Sequence, residues 1–241
     1  MNSGGIHKNG FNHEMRAFYK VLDQDHLDTE NPIKYFSLLN KPIPKQLLGY
    51  VTLPFIEEKR NTISPITLLP EHIPVSFLNS PSAMLCAVDF VSLSVLLPFL
   101  RMNGIKTLLI KPSKGTMVST FWRDFPTLIR GCTGLICSRK EAKNLFLGKS
   151  ENLHEIAETL ANFGLEFVVI TCGKEGQHLF VRSTHTHWEI PAYPVNVIDS
   201  VHASDAFSGG FLADFLKSFD PLQATYHGNI SASIKLEGIG A

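Results

Sequence analysis

The sequence predicts an α/β fold of three layers, with a doubly wound, mostly parallel sheet between helices. Three observations point there. From about residue 66, short apolar runs alternate with stretches of helical periodicity, as when strands are joined by crossover helices. The run "EFVVIT" is almost wholly apolar, which suits a strand buried on both faces. Cap residues bound the helical stretches: Asp89 before "FVSLSVLLPFLRMN" and Gly104 after it, and Gly164 closing "NLHEIAETLANF".

Residues 1–65 are polar and irregular, rich in proline and lysine, and form a poorly assigned N-terminal segment ahead of a domain at 66–241. Within the segment, "HEMRAFYKVL" suits a short helix and "GYVTLPFI" a strand. In the domain, "VSFLN" reads as the first strand, followed by the helix capped by Asp89. "KTLLI" and "TGLIC" are strands, and Ser138 caps a helix starting "RKEAKNLF". The next helix carries Leu153, Ile156, Ala157, Leu160 and Phe163 on one stripe. After "EFVVIT" and the turn "GKEG" come the strands "QHLFV", "THWEI" and "VNVID". A helix from about Asp205 to Ser218 places Phe207, Phe211 and Phe215 at four-residue spacing, and a final helix begins at Pro221 behind Asp220. Sheets of this kind bind ligands beyond the carboxyl ends of their strands, so the turns after "VVIT" and "NVID" are the places to look.

The second of these turns, in "VIDSVHASDAFSGGF", leads into a helix N-terminus. The first amides of a helix have no internal partners and carry partial positive charge, which favours a phosphate. Asp205, in the first turn, is placed to take a proton from a hydroxyl attacking a phosphoryl group. The plainer reading is a first-turn acid that stabilises the helix by ~0.3–1 kcal/mol. His185 and His187 share one strand face and could bind a metal, but with no third ligand evident an exposed edge strand explains them.

Composition narrows the function classes. Lys plus Arg and Asp plus Glu each total 22, so the zero net charge gives no electrostatic footprint for nucleic acid or an anionic membrane. The four cysteines form no C-x-x-C pair and lie in or beside apolar segments, which suggests buried thiols. With no secretory leader and no apolar run of about 18 residues, a cytoplasmic protein is expected.

The segment "IDSVHASDAFSGGFL" resembles the C-terminal signature of the ribokinase-like (PfkB-type) carbohydrate kinases, D-T-x-G-A-G-D-x-F-x-x-G, matched at Asp199, Ala203, Asp205, Phe207 and Gly210. "VVITCGKEGQHLF" is similar to the family's T-x-G-x-x-G turn through Thr171, Gly173 and Gly176, and "LICSRKEAKNLF" to its N-x-x-E helix start, with Glu141 kept. The resemblance covers roughly residues 66–241. It implies an ATP-dependent transfer of the γ-phosphoryl group to a hydroxyl of a sugar or similar small alcohol. Asp205 is then the base, and the amides of Ala203, Ser204 and Asp205 form an anion hole. Thr171, Gly173 and Gly176 line the nucleotide, Glu141 helps arrange Mg2+, and Asp199 lies near a monovalent-cation loop.

Departures from the family pattern give a second expectation, a catalytically degenerate fold that binds nucleotide or a partner. The two glycines ahead of the base are His202 and Ser204 here, where a side chain narrows the anion hole. The Asn of N-x-x-E is Ser138, and Lys111 stands where many relatives carry an acid. The N-terminal substrate and lid segment is not recognised, so an incomplete lid is expected, and neither the sugar nor the oligomeric state is readable. Gly209 and Gly210 lie inside the helix, where they are expected to permit close packing.

Overall fold

The computed structural model describes residues 21–23, 26–27, 42, 58–63, 67–198, 200 and 202–238. Its centre is a six-stranded sheet: β1 (Ser82–Val88), β2 (Thr107–Pro112), β3 (Gly134–Ser138), β4 (Phe167–Thr171), β5 (Gln177–Val181) and β6 (Thr186–Ile190), lying side by side in that order. The first four strands are parallel, and β5 and β6 complete the sheet as antiparallel neighbours. Helices α1 (Phe90–Met102), α2 (Phe125–Leu128), α3 (Arg139–Leu145) and α4 (Leu153–Asn162) connect successive strands. Two longer helices, α5 (Ala203–Ser218) and α6 (Pro221–Leu236), close the described chain.

The core divides as three layers require. On one face Leu93, Leu96 and Leu100 of α1 and Ile156, Leu160 and Ala161 of α4 pack on Leu108, Ile110, Leu135 and Val168. On the other, Phe207, Phe211 and Phe215 of α5 pack on Leu109, Ile136, Phe167 and Val169. Adjacent residues of β2 and β4 therefore serve opposite faces, which is why "EFVVIT" carries no polar alternation. The helix α5 lies close against α6 because of Gly210: a Cβ there would stand 2.1 Å from Ser231 Oγ and 3.0 Å from His227 O. Gly209, by contrast, faces open space, so only one of the two glycines is a packing glycine.

Several sequence expectations need correction. "VSFLN" is a 3-10 turn over Val75–Asn79, between Pro74 and Pro81, with Val75 and Phe77 exposed. The first strand starts directly after it, where Lys106 N and Thr107 N donate to Pro81 O and align β1 with β2. "VNVID" adds no strand: residues 195–198 run outside the sheet, and Pro191 and Pro194 remove backbone donors that a ladder needs. Asp199 lies outside the described residues, as do the expected strand at 49–56 and most of the helix expected at 13–22. The last two residues of that helix stand in a small antiparallel pairing of Val21–Asp23 with His26–Leu27. Cys132 and Cys137 are buried as expected, but Cys86 is exposed. It sits at a register shift in β1, where Ala87 has φ of 52° and the strand turns outward.

The described residues 58–63 hold onto the domain. Glu58 accepts from Phe90 N at 2.9 Å and from Thr116 Oγ1 at 2.7 Å, and Ser113 Oγ donates to its other oxygen. Arg60 binds Asp124 Oδ2 at 2.6 Å and Thr120 O at 2.7 Å. Among the described residues no helix is long and apolar enough to cross a membrane.

The cap expected at Asp89 is present and is buried. Its carboxylate accepts from Ser92 N at 2.8 Å and from Thr67 Oγ1 at 2.5 Å, and Ser92 Oγ also donates to it. Asp89→Ala removes the cap and leaves two hydroxyls short of an acceptor. A loss of about 2 kcal/mol is expected, read as a lower urea midpoint at unchanged m-value.

Candidate active site

The helix α5 starts behind a turn whose backbone is held in an unusual form. His202, its N-cap residue, has φ of 64° and ψ of 6°, the left-handed conformation that glycine adopts most readily. The glycine-like backbone survives at 202 without the glycine. Ser204 stands in regular helix and needs no such freedom. Of the two replacements singled out in the sequence, only the first touches backbone conformation.

The amides at this helix end are partly committed. Ala203 N donates to Ser200 O at 3.3 Å, and Asp205 N to His202 O at 3.0 Å. Ser204 N makes no such bond among the described residues, which do not include Val201, three residues before it. Beside it, Ser200 Oγ is buried without a hydrogen-bond partner. A buried hydroxyl left unpaired is costly, and one at a helix N-terminus is a ready donor to an anion.

Asp205 is the centre of the cluster. Lys111, at the carboxyl end of β2, places Nζ 2.6 Å from Asp205 Oδ1 and 2.7 Å from Ser204 Oγ. His202 Nδ1 lies 2.9 Å from the other oxygen, Oδ2. Lys111 is a buried residue, and burying an ammonium is costly unless it is paired. The strand delivers it to the edge and α5 delivers the acid. Burial pushes the Asp205 carboxyl upward, but hydrogen bonds from Lys111 and His202 outweigh burial and hold it below the usual aspartate range. The carboxylate is therefore ionised at neutral pH.

The pair makes a pH prediction. A carboxyl depressed in the folded state adds stability above its unfolded pKa and loses it as pH falls through the folded one. Lys111→Met removes the main depressing influence and leaves the burial. The stability gap between wild type and Lys111→Met should be widest near neutral pH and close in the acid range below the ordinary aspartate value. Urea unfolding at several pH values measures it.

A second cluster lies further along the same edge, at β3 and β4. Ser138, paired in register with Thr171, caps α3 through a reciprocal box: Glu141 N donates to Ser138 Oγ at 3.3 Å, and Ser138 N to Glu141 Oε2 at 2.7 Å. Glu141 is buried, with this oxygen committed to the cap. Thr171 Oγ1 donates to Cys137 O at 3.4 Å. Behind Thr171 the turn Gly173–Glu175 is clamped to α3 by Arg139, which binds both carboxylate oxygens of Glu175 at 2.9 and 2.6 Å. Gly176, at φ of 94°, admits no side chain, since a Cβ would sit 2.0 Å from Ile190 O. Gly173 (φ of 59°) has open space where its Cβ would be, as a cradle for an incoming group requires. The structure thus brings Ala203, Ser204 and Asp205 together around Lys111, and Thr171, Gly173, Gly176 and Glu141 together at the neighbouring strands.

The donor set suits an anionic phosphate chain: an ammonium, a helix N-terminus, an unpaired hydroxyl and an open glycine turn. It suits magnesium through carboxylate oxygens, of which Glu141 offers one beyond its cap. In the sequence Lys111 stands out only as a replaced acid, and Ser200 not at all. A lysine ending the apolar run "TLLIK" was the available signal, because a buried ammonium demands a nearby carboxylate.

Comparison with known proteins gives a consistent result. A family model described as pfkB family carbohydrate kinase matches residues 92–241. A sugar kinase of Archaeoglobus fulgidus is 29% identical over 118 residues, 49% of this chain and 45% of the relative. The ribokinase of Staphylococcus aureus is 34% identical over 92 residues, 38% of this chain and 30% of the relative. The chain thus spans less than half the length of these curated relatives. Among solved structures, a ribokinase of Thermotoga maritima superposes with a TM-score of 0.57 at 20% identity, covering 73% of this chain and 58% of that one. An aminoimidazole riboside kinase of Salmonella enterica, solved with its riboside and an ATP analogue, gives 0.54 at 18%, covering 74% and 63%. These structural likenesses show the ribokinase-like fold.

Proposed function

The chain belongs to the pfkB family of carbohydrate kinases, and on that premise we propose that it transfers the γ-phosphoryl group of ATP to a hydroxyl of a sugar or similar small alcohol, within a domain at 66–241. The observation that carries this reading is the ionised Asp205 at the N-terminus of α5, beside a lysine. The hydroxyl oxygen attacks the γ-phosphorus as its proton passes to Asp205, and ADP leaves with the electron pair of the broken P–O bond. Most of the acceleration comes from positioning and charge neutralisation, to which Lys111, Ser204 N and the helix end contribute. Magnesium, held through Glu141 and the phosphates, would neutralise phosphate charge when bound. Thr171, Gly173 and Gly176 line the nucleotide. A monovalent cation near Asp199 belongs to the same reading.

One observation favours a second reading, nucleotide or partner binding without transfer. Both oxygens of Asp205 are already engaged, one by Lys111 and one by His202. A base must free an oxygen to accept a proton, so transfer requires Lys111 to move onto the phosphoryl oxygens as they arrive. Incubation of the full chain with magnesium-ATP and a panel of sugars and nucleosides tests both readings. Sugar-dependent ADP release supports the kinase. Saturable ATP binding with no turnover on any acceptor supports the second reading and rejects the first.

A further inference from the structure

At the far edge of the sheet from Lys111, helix α4 covers the hairpin β5–β6 and a cluster of histidines meets a carboxylate. His178 on β5 stands in register opposite Glu189 on β6, so both project to one face. His154, in the first turn of α4, reaches the same point from above. His154 Nε2 lies 2.8 Å from Glu189 Oε1, and His178 Nδ1 lies 3.9 Å from the same oxygen. The three donor atoms all fall within 4.8 Å of one another. The His187 ring is 4.8 Å from that of His154, centre to centre.

A surface ion pair would explain His154 and Glu189, but not His178. His178 Nδ1 is buried and has no hydrogen-bond partner, although it faces the two other donors. Zinc bound to nitrogen and oxygen at about 2.0–2.2 Å in a tetrahedron separates its ligands by roughly 3.4 Å. The distances of 2.8 and 3.9 Å lie on either side of that spacing, so small side-chain rotations complete the site.

We propose that His154, His178 and Glu189 form a transition-metal site, with Zn2+ as the fitting ion and a water or His187 as fourth ligand. Two imidazoles and one carboxylate select Zn2+ over Mg2+, whose preference is for oxygen ligands alone. The site is separate from the phosphate cluster on β2. Its metal would pin α4 to the hairpin, whose last residue, Ile190, packs on the Gly176 turn.

His185 and His187, which the sequence pairs on an expected edge strand, belong to a different group. His185 and His187 face Glu158 at 3.6 and 3.8 Å, whereas the tighter cluster draws on three elements separated in sequence.

The test is Zn2+ titration of the chelator-stripped full chain by calorimetry, with Co2+ absorption reporting ligand geometry. One saturable site per chain is expected, with tetrahedral Co2+ bands. His178→Ala and Glu189→Gln should each weaken it by at least about tenfold, the lower bound for disturbing even an outer partner of a metal ligand. Glu189 is exposed, so its variant stays informative if His178→Ala does not fold. His72→Ala and His227→Ala should leave binding unchanged. Uptake that is absent, or equally strong in the His178 and Glu189 variants, overturns the proposal and assigns any binding to scattered surface histidines.

Discussion

Asp205→Asn is expected to reduce sugar-dependent ATP turnover by about 10²–10⁴-fold while nucleotide binding persists. The amide keeps the size of the side chain and one acceptor oxygen, so the start of α5 remains in place. It cannot take the proton of the attacking hydroxyl. The loss should fall on kcat, because the group acts as charge and proton move and not as substrate docks. The same substitution has a structural cost. Lys111, a buried ammonium, loses its counter-ion. Breaking a fully buried pair costs about 3–5 kcal/mol, but the Asp205 side chain is 48% exposed. Water and the retained amide oxygen reduce the loss to about 1–2 kcal/mol. Single-turnover kinetics beside urea unfolding separates the two effects. Turnover unchanged in Asp205→Asn removes this residue as the base whatever the stability result.

The largest effect on stability is expected at Phe211→Ala, about 3–5 kcal/mol. Phe211 is fully buried at the middle of α5, with ring centroids 5.3 Å from Phe167, 6.2 Å from Phe207 and 5.8 Å from Phe215. Truncation opens a cavity between α5 and the sheet, and Gly210, already against Ser231, leaves α6 little room to move inward and fill it. Because α5 carries Asp205 at one end, the lost packing also loosens the acid's position. The variant should melt at lower urea and, at temperatures where it remains folded, turn over more slowly than wild type. A shift below about 1 kcal/mol would mean that the aromatic row is loosely packed.

The alternation of "KTLLI", "TGLIC" and "EFVVIT" with capped helices, and the runs "QHLFV" and "THWEI" after them, were enough to read five of the sheet's six strands and both closing helices, because burial on two faces and cap chemistry are local signals. β1 was missed because "VSFLN", with Val and Phe, has the side chains that favour strands, while the more apolar "SAMLCAV" after it carries two alanines; prolines at 74 and 81, more than side-chain character, decide which of the two pairs. "VNVID" failed for a related reason: β-branched residues favour a strand, but no neighbour offers them a ladder. At the site, the acid at 205 and the glycines at 173 and 176 are legible because each answers a local backbone or charge requirement. The salt bridge to Lys111 joins residues 94 apart in sequence, and the zinc cluster joins three elements; no local pattern encodes either juxtaposition.

One backbone bond links the site turn to the far end of the chain: Ile198 N donates to Leu236 O, in the last turn of α6, at 2.7 Å. That carbonyl belongs to a helix terminus, the part of a helix that frays first. Fraying of α6 and release of the turn ahead of His202 are then one opening event. Anything that orders the turn must slow exchange at Ile198 and protect the end of α6 by the same free energy. The Ile198 amide is thus a built-in reporter: its hydrogen exchange should slow when an anion settles against α5, at a position that the anion itself need not touch.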